Sequence, residues 1–169
     1  KNLGTKELKI DAFDFSANSK QLLVNSYDVV HYPYFHPYFL TLPFTKPVKK
    51  VVVTIHDLIP LIYPKHYPPG LKGRLRFSIQ KFLLKNVDAI ITISETSKKD
   101  ICRFLCVDPS KVHVVYLAPK KIFKKITDST LLHRTVEKYK LPSKFVLYVG
   151  DVNYNKNIPT LIEACKIAK

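Results

Sequence analysis

Two short stretches of this sequence carry side chains suited to chemistry on an anionic, hydroxyl-bearing ligand. The first is His56-Asp57, placed where the apolar run Lys50 to Ile55 (K-V-V-V-T-I) ends. A neutral imidazole there can donate to, or accept from, a sugar hydroxyl or a phosphate. A structural histidine bonded to a backbone carbonyl would leave the same trace. Asp57 can orient that ring or cap the loop, and spacing does not separate the two roles. The second stretch is Gly150 to Asn157 (G-D-V-N-Y-N-K-N). Gly150 closes an apolar run and admits close approach to the backbone. Lys156 follows, and Asn157 can cap the next helix. A helix N-terminus beside a lysine attracts anions, so a phosphate or diphosphate is the guest such a segment would take. A surface lysine beside an ordinary N-cap is the competing reading.

Other polar residues carry less. Ser94 reads as an N-cap and Glu95 as an acidic first-turn residue, with ligand contact the lesser reading for both. His31 opens the aromatic run H-Y-P-Y-F-H-P-Y-F, residues 31–39, which could stack on a sugar or a lipid or pack on its own domain. His31, His36, His56 and His66 show no H-x3-H or Cys/His pairing, so no metal site is expected.

The elements that must position these groups alternate. Strands are predicted over Leu8 to Phe13, Asp28 to His31, Lys50 to Ile55, Ala89 to Ile93, Lys111 to Leu117 and Lys144 to Val149. Helices are predicted over Ala17 to Asn25, Leu71 to Asn86, Glu95 to Leu105, Leu131 to Tyr139 and Asn157 to Ala168. Continuous β-branched strands alternating with helices predict an α/β parallel sheet buried on both faces. In Leu71 to Asn86 the stripe Leu75, Ile79, Phe82 and Leu83 is expected to face the core. Tyr32 to Pro47 and Ile59 to Gly70 are proline-rich loops. In an open α/β sheet ligands bind beyond the carboxyl ends of the strands, where His31, His56, Asp57, Ser94, Glu95, Gly150 and Lys156 would converge. A linker is expected at Ala118 to Ser129, with its pairs Lys120-Lys121 and Lys124-Lys125.

Composition bounds the rest. The 169 residues carry 28 Lys and Arg against 13 Asp and Glu, a net charge of +15, with 46% hydrophobic residues. That is enough to build a core. Four glycines leave no G-x-G-x-x-G or P-loop pattern. Three cysteines suggest a reducing, cytoplasmic setting, with Cys102 and Cys106 as small buried hydrophobes on one helix face. No run of 18 apolar residues and no signal peptide are visible. The absence of Met, including at position 1, suggests a partial chain.

The stretches D-V-V-H-Y-P-Y-F (28–35), V-V-V-T-I-H-D-L-I-P-L (51–61), V-D-A-I-I-T-I-S-E-T-S-K-K-D (87–100) and F-V-L-Y-V-G-D-V-N-Y-N-K-N-I-P-T-L-I-E-A (145–164) together resemble glycosyltransferase family 4. The resemblance is collinear from about Tyr27 to Lys169. It implies a GT-B fold: a Rossmann-like parallel sheet flanked by helices, and a second Rossmann-like domain, here truncated. Residues 1–118 would form the acceptor-side domain, 119–143 the interdomain crossing and 144–169 the first βα unit of the donor domain. The implied activity is retaining transfer from a nucleotide-sugar donor to a glycan or lipid-linked acceptor, with no metal or other cofactor. His56 matches the family's cleft histidine and Lys156 the lysine that neutralises the donor diphosphate. Asp151 and Asn155 stand where some members carry basic residues. The family's paired donor-site glutamates, eight positions apart, have no counterpart among Glu7, Glu95, Glu137 and Glu163. The chain is therefore expected to be weakly active or inactive alone.

The charge invites an anionic membrane surface, at about 1 kcal/mol per Lys near lipid. Leu71 to Asn86 carries Lys72, Arg74, Arg76, Lys81 and Lys85, so peripheral attachment to the inner face of the cell membrane is one expectation, and a solvated basic face the other. A basic nucleic-acid-binding protein is the rival from another class. No nucleic acid is expected, because the lysines are dispersed and no RNP, KH or zinc-finger pattern exists. A noncatalytic nucleotide- or phosphate-binding module is the remaining alternative.

Overall fold

The computed structural model describes residues 27–168. The predicted strand Leu8 to Phe13 and helix Ala17 to Asn25 lie outside them. Among the described residues there is a four-stranded sheet in the order β1-β2-β3-β4. The strands are β1 Val29–Tyr32, β2 Lys50–Thr54, β3 Ala89–Thr92 and β4 Val112–Val114. Every pairing is parallel, with Val30 opposite Val51, Val53 opposite Ile90 and Ile91 opposite His113. All four carboxyl ends therefore emerge at one edge.

The helices are α1 Ile59–Ile62, α2 Gly70–Leu83, α3 Glu95–Leu105, α4 Ser129–Tyr139 and α5 Ile158–Ile167. A 3-10 turn, Leu84–Asn86, continues α2. Local chemistry explains their limits. Ser94 Oγ accepts from Ser97 N at 3.0 Å, which starts α3, and Cys106 stops it in the left-handed conformation at φ 55°. Asp128 Oδ1 accepts from Thr130 N and Leu131 N at the start of α4. The core gathers Val51, Val53, Ile55 and Leu58 from β2 and its exit, Ile90 and Val112 from the neighbouring strands, and Leu83, Ile101 and Leu105 from α2 and α3.

The α/β parallel sheet agrees with expectation, and several details do not. The strands are not buried on both faces: β1 alternates exposed and buried, and Val52, Ala89 and Ile91 are half-buried. Predicted strand Lys111 to Leu117 shrinks to β4, preceded by a 3-10 turn that Asp108 caps. Lys144 to Val149 forms no ladder, because no described strand lies beside it, and an unpaired strand cannot satisfy its own backbone. Its Phe145, Val146, Leu147 and Val149 are 53–84% exposed. Cys106 is exposed at the end of α3, because the left-handed turn swings it off the face that half-buries Cys102. In α2 the expected core stripe splits. Leu83 is buried and Ile79 packs on the core, whereas Leu75 and Phe82 are 65% and 63% exposed. The inward face of α2 instead passes through Gly73, Gln80 and Leu83.

Asp88, just before β3, pins the sheet's amino edge. Its Oδ2 accepts from Val51 N at 2.8 Å and meets Lys46 Nζ at 2.7 Å, and Lys50 Nζ donates to Oδ1 at 3.2 Å. The Lys46 hydrogen bond first, then the Val51 N–H and Lys50, hold this carboxyl far below the usual range, against the opposing pull of burial. A carboxyl depressed in the folded state stabilises fully above its unfolded pKa of about 4 and loses that contribution as pH falls below it. Asp88→Asn is expected to cost about 1–2 kcal/mol at pH 7 and progressively less below pH 4. Urea titrations of both chains at pH 7 and pH 3 check this, and an undiminished gap at pH 3 would contradict it.

Candidate functional site

The carboxyl edge of the sheet gathers the candidates of the first half of the chain. Ile55 N donates to Ile91 O at 2.9 Å, carrying the β2–β3 ladder one residue further. His56 follows, exposed, and the fully buried Leu58 anchors the turn beneath it. Asp57 Oδ1 accepts from Ile59 N at 3.1 Å, which is the loop-capping arrangement. His31 lies within β1, as the predicted strand Asp28 to His31 has it. Its Nε2 is 2.8 Å from Thr54 Oγ1, a hydrogen bond whose donor depends on the imidazole tautomer. That bond ties the ring to the last residue of β2. Ser94 serves as the N-cap of α3, and Glu95 is exposed in its first turn.

The second half of the chain places Gly150 at φ 151°. A Cβ there would lie 2.9 Å from Tyr148 Oη, whose hydroxyl donates to Asp151 O at 2.6 Å. The dihedral favours glycine, and a Cβ would also displace the Tyr148 hydroxyl from its present place. Lys156 ends the 3-10 turn Tyr154–Lys156 and is exposed. Asn157 does not cap α5 as expected. It sits at φ 50°, outside the extended region that capping residues adopt, and its Oδ1 accepts from the Thr160 hydroxyl at 2.8 Å. Its side chain makes no cap hydrogen bond to the first turn of α5.

The two candidate segments touch. The Tyr154 ring stacks on His66 with centroids 3.3 Å apart and planes 12° from parallel, and meets Tyr63 edge-on at 5.5 Å. Tyr67 Oη donates to Asn155 Oδ1 at 2.9 Å. The loop that begins at His56 is thereby joined to the turn that ends at Lys156. A cavity of about 390 Å³ lies between them, with Tyr63 on one side and Asn153, Tyr154, Asn155 and Asn157 on the other. Sequence reasoning named neither Tyr63, His66 and Tyr67 nor Tyr154 for a role. Partners some 88 positions apart leave no periodic signal, and only the aromatic density of the proline-rich loop hinted at them.

A parallel sheet flanked by helices, with its polar loops collected at the carboxyl edge, defines an α/β Rossmann-like domain of the GT-B kind. The family model described as Glycosyltransferase Family 4 matches residues 2–118, and the chain belongs to that family. The matched region includes His31, His56, Asp57, Ser94 and Glu95 and stops before Gly150 and Lys156. Among curated proteins the chain is similar to serotype-specific mannosyltransferases WbdA of Escherichia coli. Two of these are 27% identical over 130 residues, or 75% of this chain, and a third is 26% identical over the same length. The chain spans only 15–16% of the length of these relatives.

Proposed function

We propose that this chain supplies the acceptor side and the first donor-side element of a retaining glycosyltransferase that uses a nucleotide-sugar and no metal. The observation that carries the reading is the joining of the His56 loop to the Lys156 turn through Tyr63, His66 and Tyr67 with Tyr154 and Asn155. In the transfer, the bond between the anomeric carbon and the phosphate oxygen breaks and the diphosphate leaves with the electron pair. The acceptor hydroxyl forms the new bond on the same face, and its proton passes to the leaving phosphate. Lys156 opposes the charge that develops on the diphosphate, and preorganised opposition of that kind is where enzymes gain most. His56 offers a hydrogen bond to the donor sugar, and Gly150 lets the diphosphate approach the backbone. Ser94 and Glu95 remain the lesser cleft contacts.

Mannose is the sugar suggested by the relatives' name, and a glycan or lipid-linked molecule is the proposed acceptor. Thermal unfolding with GDP-mannose and UDP-glucose tests the reading, because a ligand that binds the folded state raises its apparent stability. A rise of several degrees with one nucleotide-sugar is expected, and no response to either at millimolar concentration would remove the reading. Turnover by the 169-residue chain alone is expected to be weak or absent.

A second observation favours a membrane surface as partner. Leu71, Leu75 and Phe82 line an outward face of α2 and are 87%, 65% and 63% exposed, with Lys72, Arg74 and Lys85 beside them. An apolar stripe turned to solvent between cations suits the headgroup boundary of an anionic bilayer. Among the described residues no helix is long and apolar enough to cross a membrane. The chain is expected to float with phosphatidylglycerol vesicles at low salt. A Leu75→Ser, Phe82→Ser pair should reduce the bound fraction at least fivefold. No flotation of the unsubstituted chain would end the membrane reading.

A further inference from the structure

A second cavity, of about 340 Å³, lies between the aromatic run and α2, and Tyr67 of the His56–Lys156 junction forms part of its wall. Its walls are fixed. Gln80 is fully buried, and its Oε1 accepts from Thr41 N and Leu42 N while its Nε2 donates to His36 O and Phe39 O. These bonds hold the run 36–42 against the helix. Tyr38 Oη donates to Pro60 O at 3.1 Å, and the Tyr38 ring meets Phe77 edge-on. Gly73 packs closely here: a Cβ on it would be a tight 3.1 Å from Pro69 Cβ and in ordinary contact, 3.4 Å, with Tyr38 Cβ. His36 and Phe39 pack ring to ring with centroids 4.6 Å apart. His36 Nδ1 accepts from Tyr38 N, and burial lowers the ring's pKa against the opposing pull of Asp57.

No carboxylate among the described residues lines the cavity. Lys72 and Arg76 both line it, one helical turn apart. Neither has an ion pair or hydrogen bond among the described residues. Like charges at this spacing weaken a helix, and nothing in the wall offsets them. Asp57 lies outside the wall and keeps its charge while accepting from Ile59 N, so one nearby carboxylate faces two cations. Two free cations beside preset aromatic rings favour an anion carried on a ring, since the rings take the body and the cations the charge.

We propose that this cavity binds the phosphorylated end of a glycosyl acceptor, a sugar phosphate or sugar diphosphate, through Lys72 and Arg76 with Tyr38 and Phe39 against the sugar. This rests on the transferase reading in assigning the ligand to the acceptor; the binding itself does not depend on that reading. The test uses the intact chain carrying Lys156→Gln, so that the donor-side lysine contributes nothing. It is titrated with glucose 1-phosphate, followed by calorimetry and by nitrogen-15 NMR of the Gly73 amide and the Arg76 Nε–H.

Saturable one-to-one binding that shifts both resonances is expected. Adding Lys72→Gln and Arg76→Gln should weaken it at least tenfold, while Lys99→Gln should change it less than twofold. Phe39→Ala should weaken glucose 1-phosphate more than inorganic phosphate. A lipid headgroup source is separated by vesicles: the Leu75→Ser, Phe82→Ser pair should lose flotation and keep glucose 1-phosphate binding. The proposal is overturned if Lys156→Gln alone abolishes binding, if Lys99→Gln weakens it as much as the cavity pair, or if neither resonance moves. A chain that binds no nucleotide-sugar but still binds glucose 1-phosphate here would sink the transferase reading and leave the cavity standing.

Discussion

Replacing Gln80 with leucine is expected to destabilise the chain by about 3–5 kcal/mol, near the upper end for a single substitution. The side chain is fully buried in the last turn of α2. Its oxygen accepts two backbone N–H groups, from Thr41 at 3.2 Å and Leu42 at 3.1 Å. Its nitrogen shares two hydrogens among three acceptors, His36 O, Phe39 O and Thr41 Oγ1, at 2.7–2.9 Å. One amide thus substitutes for the secondary structure that the aromatic run lacks. Leucine fills the volume and leaves those backbone groups without partners, and each buried orphan costs about 1–3 kcal/mol. The loss is moderated where the loop moves away and lets water reach them.

Gln80→Glu separates hydrogen bonding from shape. It keeps acceptors for Thr41 and Leu42 but has no donor for His36 O and Phe39 O, and it buries a charge. It should be at least as damaging as leucine at pH 7. Urea titrations give the stabilities, and hydrogen exchange at the Thr41 and Leu42 amides localises the effect. A Gln80→Leu chain within 1 kcal/mol of the parent, with those amides still protected, would show that the loop holds itself. The same loop carries the rings of the α2 cavity, so the unlocked variants should also lose glucose 1-phosphate binding while Lys72 and Arg76 remain.

The sheet was legible because its signals are local. The runs K-V-V-V-T-I and A-I-I-T-I announce strands wherever they fall, and Ser94 marks the start of α3 through a bond to a residue three positions away. What escaped depends on distant partners. In α2 an apolar stripe at helical spacing named Leu75 and Phe82 as core, but apolar periodicity does not say which of two faces turns inward. Gln80 decides that here, since its five polar partners lie on the loop side, and a lone glutamine among leucines gives no hint of it. Lys144 to Val149 shows the converse limit. Its composition reads as a strand, yet a strand exists only beside another, and none of the described residues supplies one. At the site, the end of β2 placed His56 correctly at the carboxyl edge. The strand pattern rightly places His31 toward the end of β1, but its ring meets Thr54, a partner 23 positions away that no local pattern announces.

Lys156→Gln is expected to weaken binding of a nucleoside diphosphate such as GDP about tenfold, the loss of one charge-assisted contact. Where turnover is measurable, the rate should fall about 10²–10³-fold, because the diphosphate gains charge on leaving and the lysine acts most strongly there. Lys156 is exposed and its ammonium has no partner among the described residues, so the substitution should barely alter folding. Tyr154 gives the sharper test of how that lysine is held. It opens the 3-10 turn that Lys156 ends and is stacked on His66 with Tyr63 at its edge. Tyr154→Ala keeps the cation and removes its anchor, so it should cost several-fold in GDP affinity. Tyr154→Phe retains the stack and should stay within twofold of the parent. Tyr67→Phe, which removes only the hydrogen bond to Asn155 Oδ1, belongs between them. If Tyr154→Ala bound GDP as the parent does while Lys156→Gln did not, the lysine would act without the aromatic junction. If Lys156→Gln bound GDP unchanged, the diphosphate would have to be held elsewhere on the chain.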